Sequence, residues 1–175
     1  PSEGLSFEPP PPTDDRTAKV TNAVGEFLKT HPSDSQRQLT FKPAEPDTGY
    51  VFKRTDLDSK PEIKAIAENV VNTARGTTIE ENGAQVMTIE HSCSALSGSG
   101  IDNVIIEVNS SEVPILDGSA KYFMNAIKEV GITEQNAEKK YFKLKEALEF
   151  IDKSNGVKIT AFPDDKYNIK VQIDF

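Results

Sequence analysis

Val86-Met87-Thr88-Ile89-Glu90-His91-Ser92-Cys93-Ser94-Ala95-Leu96 is the stretch from which the chain is read. It sets a carboxylate beside an imidazole at the predicted start of a short helix. Gly98 and Gly100 stop that helix, and an apolar strand over residues 101–108 follows. The chain has 2 histidines, so one placed next to a glutamate at a helix start stands out. Neutral imidazole is the commonest protein ligand for a metal ion. A carboxylate beside a bound metal can take a proton from metal-bound water. Successive helical residues diverge by about 100°, so Glu90 and His91 can act together only if the chain bends at the first turn. Cys93 is a poor substitute ligand, because position i+2 on a helix faces away from i. Taken alone, the stretch also reads as a first-turn glutamate favoured by the helix dipole beside a buried, hydrogen-bonded histidine.

Upstream, residues 38–42 alternate apolar and polar side chains, residues 43–49 carry turn chemistry, and residues 50–54 read as the return strand. The pair is expected to form a hairpin with a long loop. Residues 63–66 suggest a short strand. Residues 69–79 are rich in β-branched side chains and strand-like. Asn82-Gly83 is a local hairpin signal leading into residues 85–87. Downstream, Asp117-Gly118-Ser119 opens a second helix over residues 120–130. Its apolar positions Ala120, Phe123, Met124, Ile127 and Val130 recur at three and four residues, and Gly131 closes it. Asp117 is a conceivable catalytic acid, but a helix N-cap in a tight turn explains it more simply. From Lys139 the pattern turns to strands, over residues 141–150, 157–162 and 167–175. At the other end, Pro9 to Pro12 favour an extended solvated conformation. Residues 16–30 carry an apolar stripe at helical spacing, and His31 reads as an exposed loop histidine before proline.

At 175 residues, with 36% hydrophobic and 27% charged side chains, the chain has the composition of a soluble globular protein of one or two domains. A formal charge of −8 argues against nucleic acid as the main partner. The lone Cys93 allows no internal disulfide, which points to a reducing compartment. No stretch approaches the roughly 20 apolar residues needed to cross a bilayer, and no signal-peptide pattern opens the chain. A cytoplasmic location is expected.

Four blocks, in this order and at this spacing, carry a resemblance. Thr88-Ile89-Glu90-His91 resembles T-V-E-H, and Gly100-Ile101-Asp102-Asn103 resembles G-I-D-N. Glu112-Val113-Pro114-Ile115-Leu116-Asp117-Gly118-Ser119-Ala120 resembles E-x-P-x-x-D-G-S-A. Gly131-Ile132-Thr133-Glu134-Gln135-Asn136 resembles a G-I-x-E-Q-N linker. All four belong to the zinc-dependent UDP-3-O-acyl-N-acetylglucosamine deacetylases of lipid A biosynthesis. The resemblance runs over residues 39–175. It implies an α+β fold: a two-layer α/β sandwich of two helices on a small sheet, the first of two similar domains. Residues 39–138 would be the first domain and 139–175 the incomplete start of the second. Residues 1–38 would be an atypical Pro-rich segment with one helix.

The resemblance also implies chemistry. The reaction is zinc-dependent hydrolysis of the N-acetyl group of UDP-3-O-acyl-N-acetylglucosamine, releasing acetate, the committed step of lipid A biosynthesis. His91 matches a Zn2+ ligand and Glu90 the general base. The family's other two ligands come from an H-x-x-x-D motif of the second domain, which this sequence does not contain. Thr73, Arg75 and Gly76 match a strand that borders the cleft and meets substrate, with Arg75 suited to a phosphate. A monomer acting on a UDP-linked acylated amino sugar is expected. The alternatives are a chain inactive by itself, or a non-enzymatic binding module with the same sandwich that docks Pro9 to Pro12 in an aromatic groove.

Overall fold

The computed structural model describes residues 17–21, as backbone, and residues 37–173. Residues 16–139 form one compact unit, and the chain from Lys140 onward belongs to a second. The mixture of two α-helices and several small sheets is the α+β architecture expected.

The first unit opens with β1 (Thr17–Thr21), β2 (Leu39–Lys42), β3 (Tyr50–Arg54) and β4 (Glu62–Lys64), followed by β5 (Val70–Asn72), β6 (Thr78–Glu81) and β7 (Ala84–Val86). Helix α1 (Glu90–Gly98) leads into β8 (Val104–Val108), and helix α2 (Lys121–Val130) into β9 (Ile132–Glu138). The central sheet has four strands in the order β2-β8-β3-β4. β8 runs antiparallel to β2 and parallel to β3. A parallel neighbour requires a crossover, and the stretch between β3 and β8 that includes α1 provides it.

The expected hairpin of residues 38–42 with 50–54 is therefore incorrect as a pairing. Both segments are strands, but β8 lies between them. Val104, Ile106 and Val108 of β8 are fully buried, and the most apolar strand takes the centre. Phe41 and Phe52 stand opposite Ile106 from either side. A second sheet, β5-β6-β7, carries the expected Asn82-Gly83 turn. Both turn residues have positive φ (54° and 73°), the type I′ geometry that matches strand twist.

The helices contribute Ala95 and Leu96 from α1, and Phe123 and Ile127 from α2, to one core with Leu39, Phe52, Ile63, Ile79 and Val86. Phe123 and Ile127 lie one turn apart, which is why the spacing was legible. Gly131, at φ 81°, ends α2. The four-block pattern contains a clamp. Asn103 accepts from Gly49 N–H (3.0 Å) and donates to Gln135 Oε1 (2.9 Å), while Gln135 Nε2 donates to Ala44 O (2.9 Å). The Asn of G-I-D-N and the Gln of E-Q-N thus tie the loop between β2 and β3 to β9.

Two further expectations are corrected here. Residues 16–30 were expected to be helical, yet Thr17–Thr21 is a strand pairing antiparallel with β9, Lys19 opposite Glu134 and Thr21 opposite Ile132. A helix with Gly25 inside it is marginal in water, and Thr17, Val20 and Thr21 are β-branched residues of the kind that favours a strand. The linker at residues 131–137 is accordingly a strand. Pro9 to Pro12, residues 22–30 and His31 lie outside the described residues.

In the second unit, β10 (Leu148–Asp152) and β11 (Val157–Ala161) form an antiparallel hairpin. Asp152 Oδ1 accepts from Ser154 N–H and Oγ in its turn (2.9 and 2.6 Å). The strand expected over residues 141–150 starts only at Leu148, and residues 167–173 are not a strand. An alternating pattern needs a partner strand to become a ladder, and the sequence pattern alone does not supply one. Among the described residues no helix is long and apolar enough to cross a membrane.

Candidate active site

The chain approaches α1 along a fixed path. Met87 bridges Glu112 in parallel; its N–H donates to Ser111 O (2.8 Å), and its carbonyl accepts from Val113 N–H (3.0 Å). Thr88 then adopts φ 61°. This left-handed conformation is unusual for any side chain and a genuine outlier for a β-branched one, costing about 1–3 kcal/mol. Its hydroxyl donates to Glu112 Oε1 (3.0 Å), and Glu112 Oε2 pairs with Arg37 (2.8 Å). A hydrogen bond to a charged group contributes about 1.5–3 kcal/mol, so this bond is of the size that offsets the strain.

Glu90 follows as the first residue of α1. Thr77 clasps this turn from the other side. Its carbonyl accepts from Ile89 N–H (3.4 Å), and its N–H donates to Glu90 Oε2 (2.9 Å). The loop 73–77 passes close to the carboxylate. A Cβ on Gly76 would stand 3.1 Å from Glu90 Oε1 and 3.7 Å from Thr88 Oγ1. A side chain here would press on the carboxylate, whose Oε2 is held by the Thr77 N–H while Oε1 stands next to Gly76.

His91 Nε2 lies 3.9 Å from Glu90 Oε1. The tips of the two side chains thus come close to one another at the helix start. The separation is too long for a direct hydrogen bond and suits a shared water or reacting atom. Both groups reach solvent, with side-chain exposures of 23% for His91 and 37% for Glu90. The reading of His91 as a buried core residue fails on that exposure. The opposite face of α1, with Ser92, Ala95 and Leu96, is buried. Burial pushes the thiol of Cys93, packed against the core, up to about 12, which disfavours the thiolate a nucleophile needs.

The residues matched to substrate sit on a loop. Residues 73–77 are not the expected strand: the ladder stops at Asn72, whose Oδ1 accepts from Ala74 N–H (2.8 Å) and turns the chain. Thr73 lines an open surface pocket with Val70, Val71, Asn72 and Ala74. Arg75 is exposed on the same loop. Of the five singled-out residues, Gly76, Glu90 and His91 come together, and Thr73 and Arg75 lie along the loop that reaches them. Asp117 is exposed before α2. Its Oδ1 accepts from Ser119 N–H (3.0 Å) and Oγ (2.8 Å), which hold its carboxyl below the usual carboxylate range. The N-cap position of α2 is Ala120, so Asp117 makes the preceding turn rather than the cap. Sequence reasoning missed Thr77 and gave no role to Thr88 or Glu112. Only the presence of Glu112 in a quoted block hinted at the last.

The family model for LpxC, UDP-3-O-acyl N-acetylglycosamine deacetylase, matches residues 30–175. The chain belongs to this family. Among its relatives, the UDP-3-O-acyl-N-acetylglucosamine deacetylase of Hahella chejuensis is 46% identical over 161 residues, 91% of this chain and 52% of its own length. That of Saccharophagus degradans is 46% identical over 138 residues, 78% of this chain and 45% of its own. The bifunctional enzyme LpxC/FabZ of Bacteroides thetaiotaomicron is 44% identical over 137 residues, 78% of this chain and 30% of its own. The LpxC-family chain described here thus spans about half or less of these relatives' length.

Whether these residues suit a zinc ion can be judged from the donors. Zinc in catalytic sites takes three protein ligands of imidazole, thiolate or carboxylate type. His91 offers a half-buried imidazole beside a carboxylate, a fitting single ligand. Among the described residues, no group of three or more His, Cys, Asp or Glu stands close enough to hold a metal. In this LpxC-family chain the described residues thus offer one donor of the kind zinc takes, with a carboxylate beside it, and no closed site.

Proposed function

We propose that this chain is the part of a zinc-dependent UDP-3-O-acyl-N-acetylglucosamine deacetylase that contributes the general base Glu90 and the zinc ligand His91. The observation that carries the reading is the Glu90 carboxylate, pinned through Oε2 by the Thr77 N–H and set with Oε1 3.9 Å from His91 Nε2. Family membership makes the substrate class the natural one.

The chemistry balances simply. A water oxygen attacks the acetamide carbonyl carbon, the C–N bond breaks as the water's other proton passes to the leaving nitrogen, and the products are acetate and the free amine of the sugar. Zinc, when bound, supplies a Lewis acid that lowers the pKa of water and polarises the carbonyl. Glu90 takes the water proton at Oε1, while the Thr77 N–H keeps Oε2 from swinging away. General-base assistance of this kind contributes about 10²–10⁴-fold. His91 offers Nε2 to the metal. Exposed Arg75 is placed to meet the substrate's diphosphate, Thr73 lines the neighbouring pocket, and Gly76 keeps the loop against Glu90. The protein acts as a cytoplasmic monomer in this reading.

A second reading is favoured by one observation, the lack of a three-ligand group among the described residues. The 175-residue chain taken alone would then bind zinc weakly and show no turnover. The test is acetate release from UDP-3-O-acyl-N-acetylglucosamine, measured with the natural protein that carries this sequence and with the 175 residues alone. Zinc-dependent release by the former supports the proposal. No release from the former, with zinc present, overturns it.

A further inference from the structure

The Glu90–His91 pair is aimed by a turn that its own residues do not stabilise. Met87 is anchored by two backbone bonds to Ser111 and Val113. Glu90 is anchored by the Thr77 N–H. Between these points Thr88 occupies the left-handed region, at φ 61°. A β-branched residue left to itself relaxes to negative φ, and that would redirect the chain entering α1 and carry Glu90 off its donor. The side-chain bond that opposes relaxation is Thr88 Oγ1 to Glu112 Oε1, at 3.0 Å.

Glu112 is built to serve as a fixed acceptor. Its backbone is held by the Ser110 hydroxyl, which donates to Glu112 O (2.7 Å) and accepts from Glu112 N–H (3.3 Å). Its other carboxylate oxygen pairs with Arg37 at 2.8 Å, so the charge is balanced and the side chain is tethered at both oxygens. The next residue, Val113, is fully buried. Glu112 is separated from Thr88 by 24 positions, and it touches neither Glu90 nor the loop 73–77 in any bond given above.

We propose that Glu112 is a positioning residue for the Glu90–His91 pair, acting through the Thr88 hydroxyl to hold the left-handed turn that aims them. The proposal rests on the reading of Glu90 as proton acceptor, but the turn can be tested without turnover. The Thr77 amide reports on it directly, because its acceptor is Glu90 Oε2.

Amide hydrogen exchange is measured on the full chain for Glu112→Ala, Thr88→Val, Glu112→Gln, Thr88→Ser and Thr88→Gly. Glu112→Ala and Thr88→Val are expected to speed Thr77 exchange about tenfold or more, with amides of Phe52 and Ile106 unchanged. Glu112→Gln keeps an acceptor and Thr88→Ser keeps the hydroxyl, so both retain most of the protection. Thr88→Gly removes the hydroxyl but suits positive φ. With no drive to leave positive φ, it should keep Thr77 protection that Thr88→Val loses while the Tm holds or rises, a rescue that a merely structural hydroxyl would not show. Thr77 exchange at the wild-type rate in Glu112→Ala and Thr88→Val overturns the proposal. So does a rise at Thr77 matched by the core amides, or Thr77 protection lost in Thr88→Gly as fully as in Thr88→Val. If the exchange results hold but the natural protein releases no acetate, the positioning stands and the assigned reaction fails.

Discussion

Glu90 has one oxygen bonded to the Thr77 N–H, and the other stands against Gly76. A methyl group on Gly76 would meet Oε1 at 3.1 Å, a distance at which the carboxylate must give way. Gly76→Ala is therefore expected to lower kcat of the natural protein by roughly tenfold or more, since small misplacements of a reacting group are costly. The Tm should fall as well, because Gly76 stands at φ 159°, a conformation that residues with a Cβ rarely adopt. Steady-state kinetics beside a thermal melt would check it; unchanged kcat would show that the carboxylate tolerates the shift. At this scale the sequence was informative about side chains and silent about backbone. Glu90 and His91 were legible as an acid next to an imidazole at a helix start. The Thr77 N–H was not, because every non-proline residue carries one. The left-handed Thr88 was also hidden, since a threonine gives no sign of positive φ as a glycine would.

Among the elements, Arg54 joins two sheets. From β3 its guanidinium grips Asp56 through two bonds (2.8 and 2.6 Å) and donates to Gln85 O on β7 (2.7 Å). Arg54 is only 8% exposed, so losing its partner leaves a cation that little water can reach. The hydrogen bond from Arg54 is the main cause holding the Asp56 carboxyl below the usual range. A carboxyl with a depressed folded value stabilises the fold above its unfolded value, about 3.9, and loses that contribution as pH falls through the folded value. Arg54, shifted upward by the same bond, stays charged throughout this window. Asp56→Asn should be less stable than wild type at pH 7 by about 1–2 kcal/mol. Denaturant melts from pH 7 downward should show the gap closing in acid; a constant gap would mean that the pair is not what Asp56 contributes. Element identity was largely legible, in the alternation of β2, the turn chemistry before β3, the apolar run of β8 and the three-and-four spacing of α2. Pairing was not. Nothing local to residues 39–54 reveals that β8, some 50 positions later, comes between β2 and β3. β1 was misread because its helical stripe is local, whereas its partner β9 is more than 100 residues away.

Over the whole molecule, family membership rests on a match covering residues 30–175. The order of four short blocks made that membership legible, since each block alone fits many folds. The structure gives those blocks physical work. Asn103 and Gln135 clamp β9, Asp117 turns the chain into α2, and Glu112 bonds the residue that aims Glu90. The second unit was less legible: alternation over residues 167–173 gives no strand where no partner is paired. The central claim is that Glu90 accepts the proton while His91 holds the metal. It is tested most directly by measuring zinc content and acetate release together in the natural protein, for wild type, Glu90→Gln and His91→Ala. The account predicts that Glu90→Gln keeps its zinc and loses about 10²-fold or more in kcat, while His91→Ala loses zinc and activity together. Wild-type turnover in Glu90→Gln, or full zinc occupancy in His91→Ala, would contradict it.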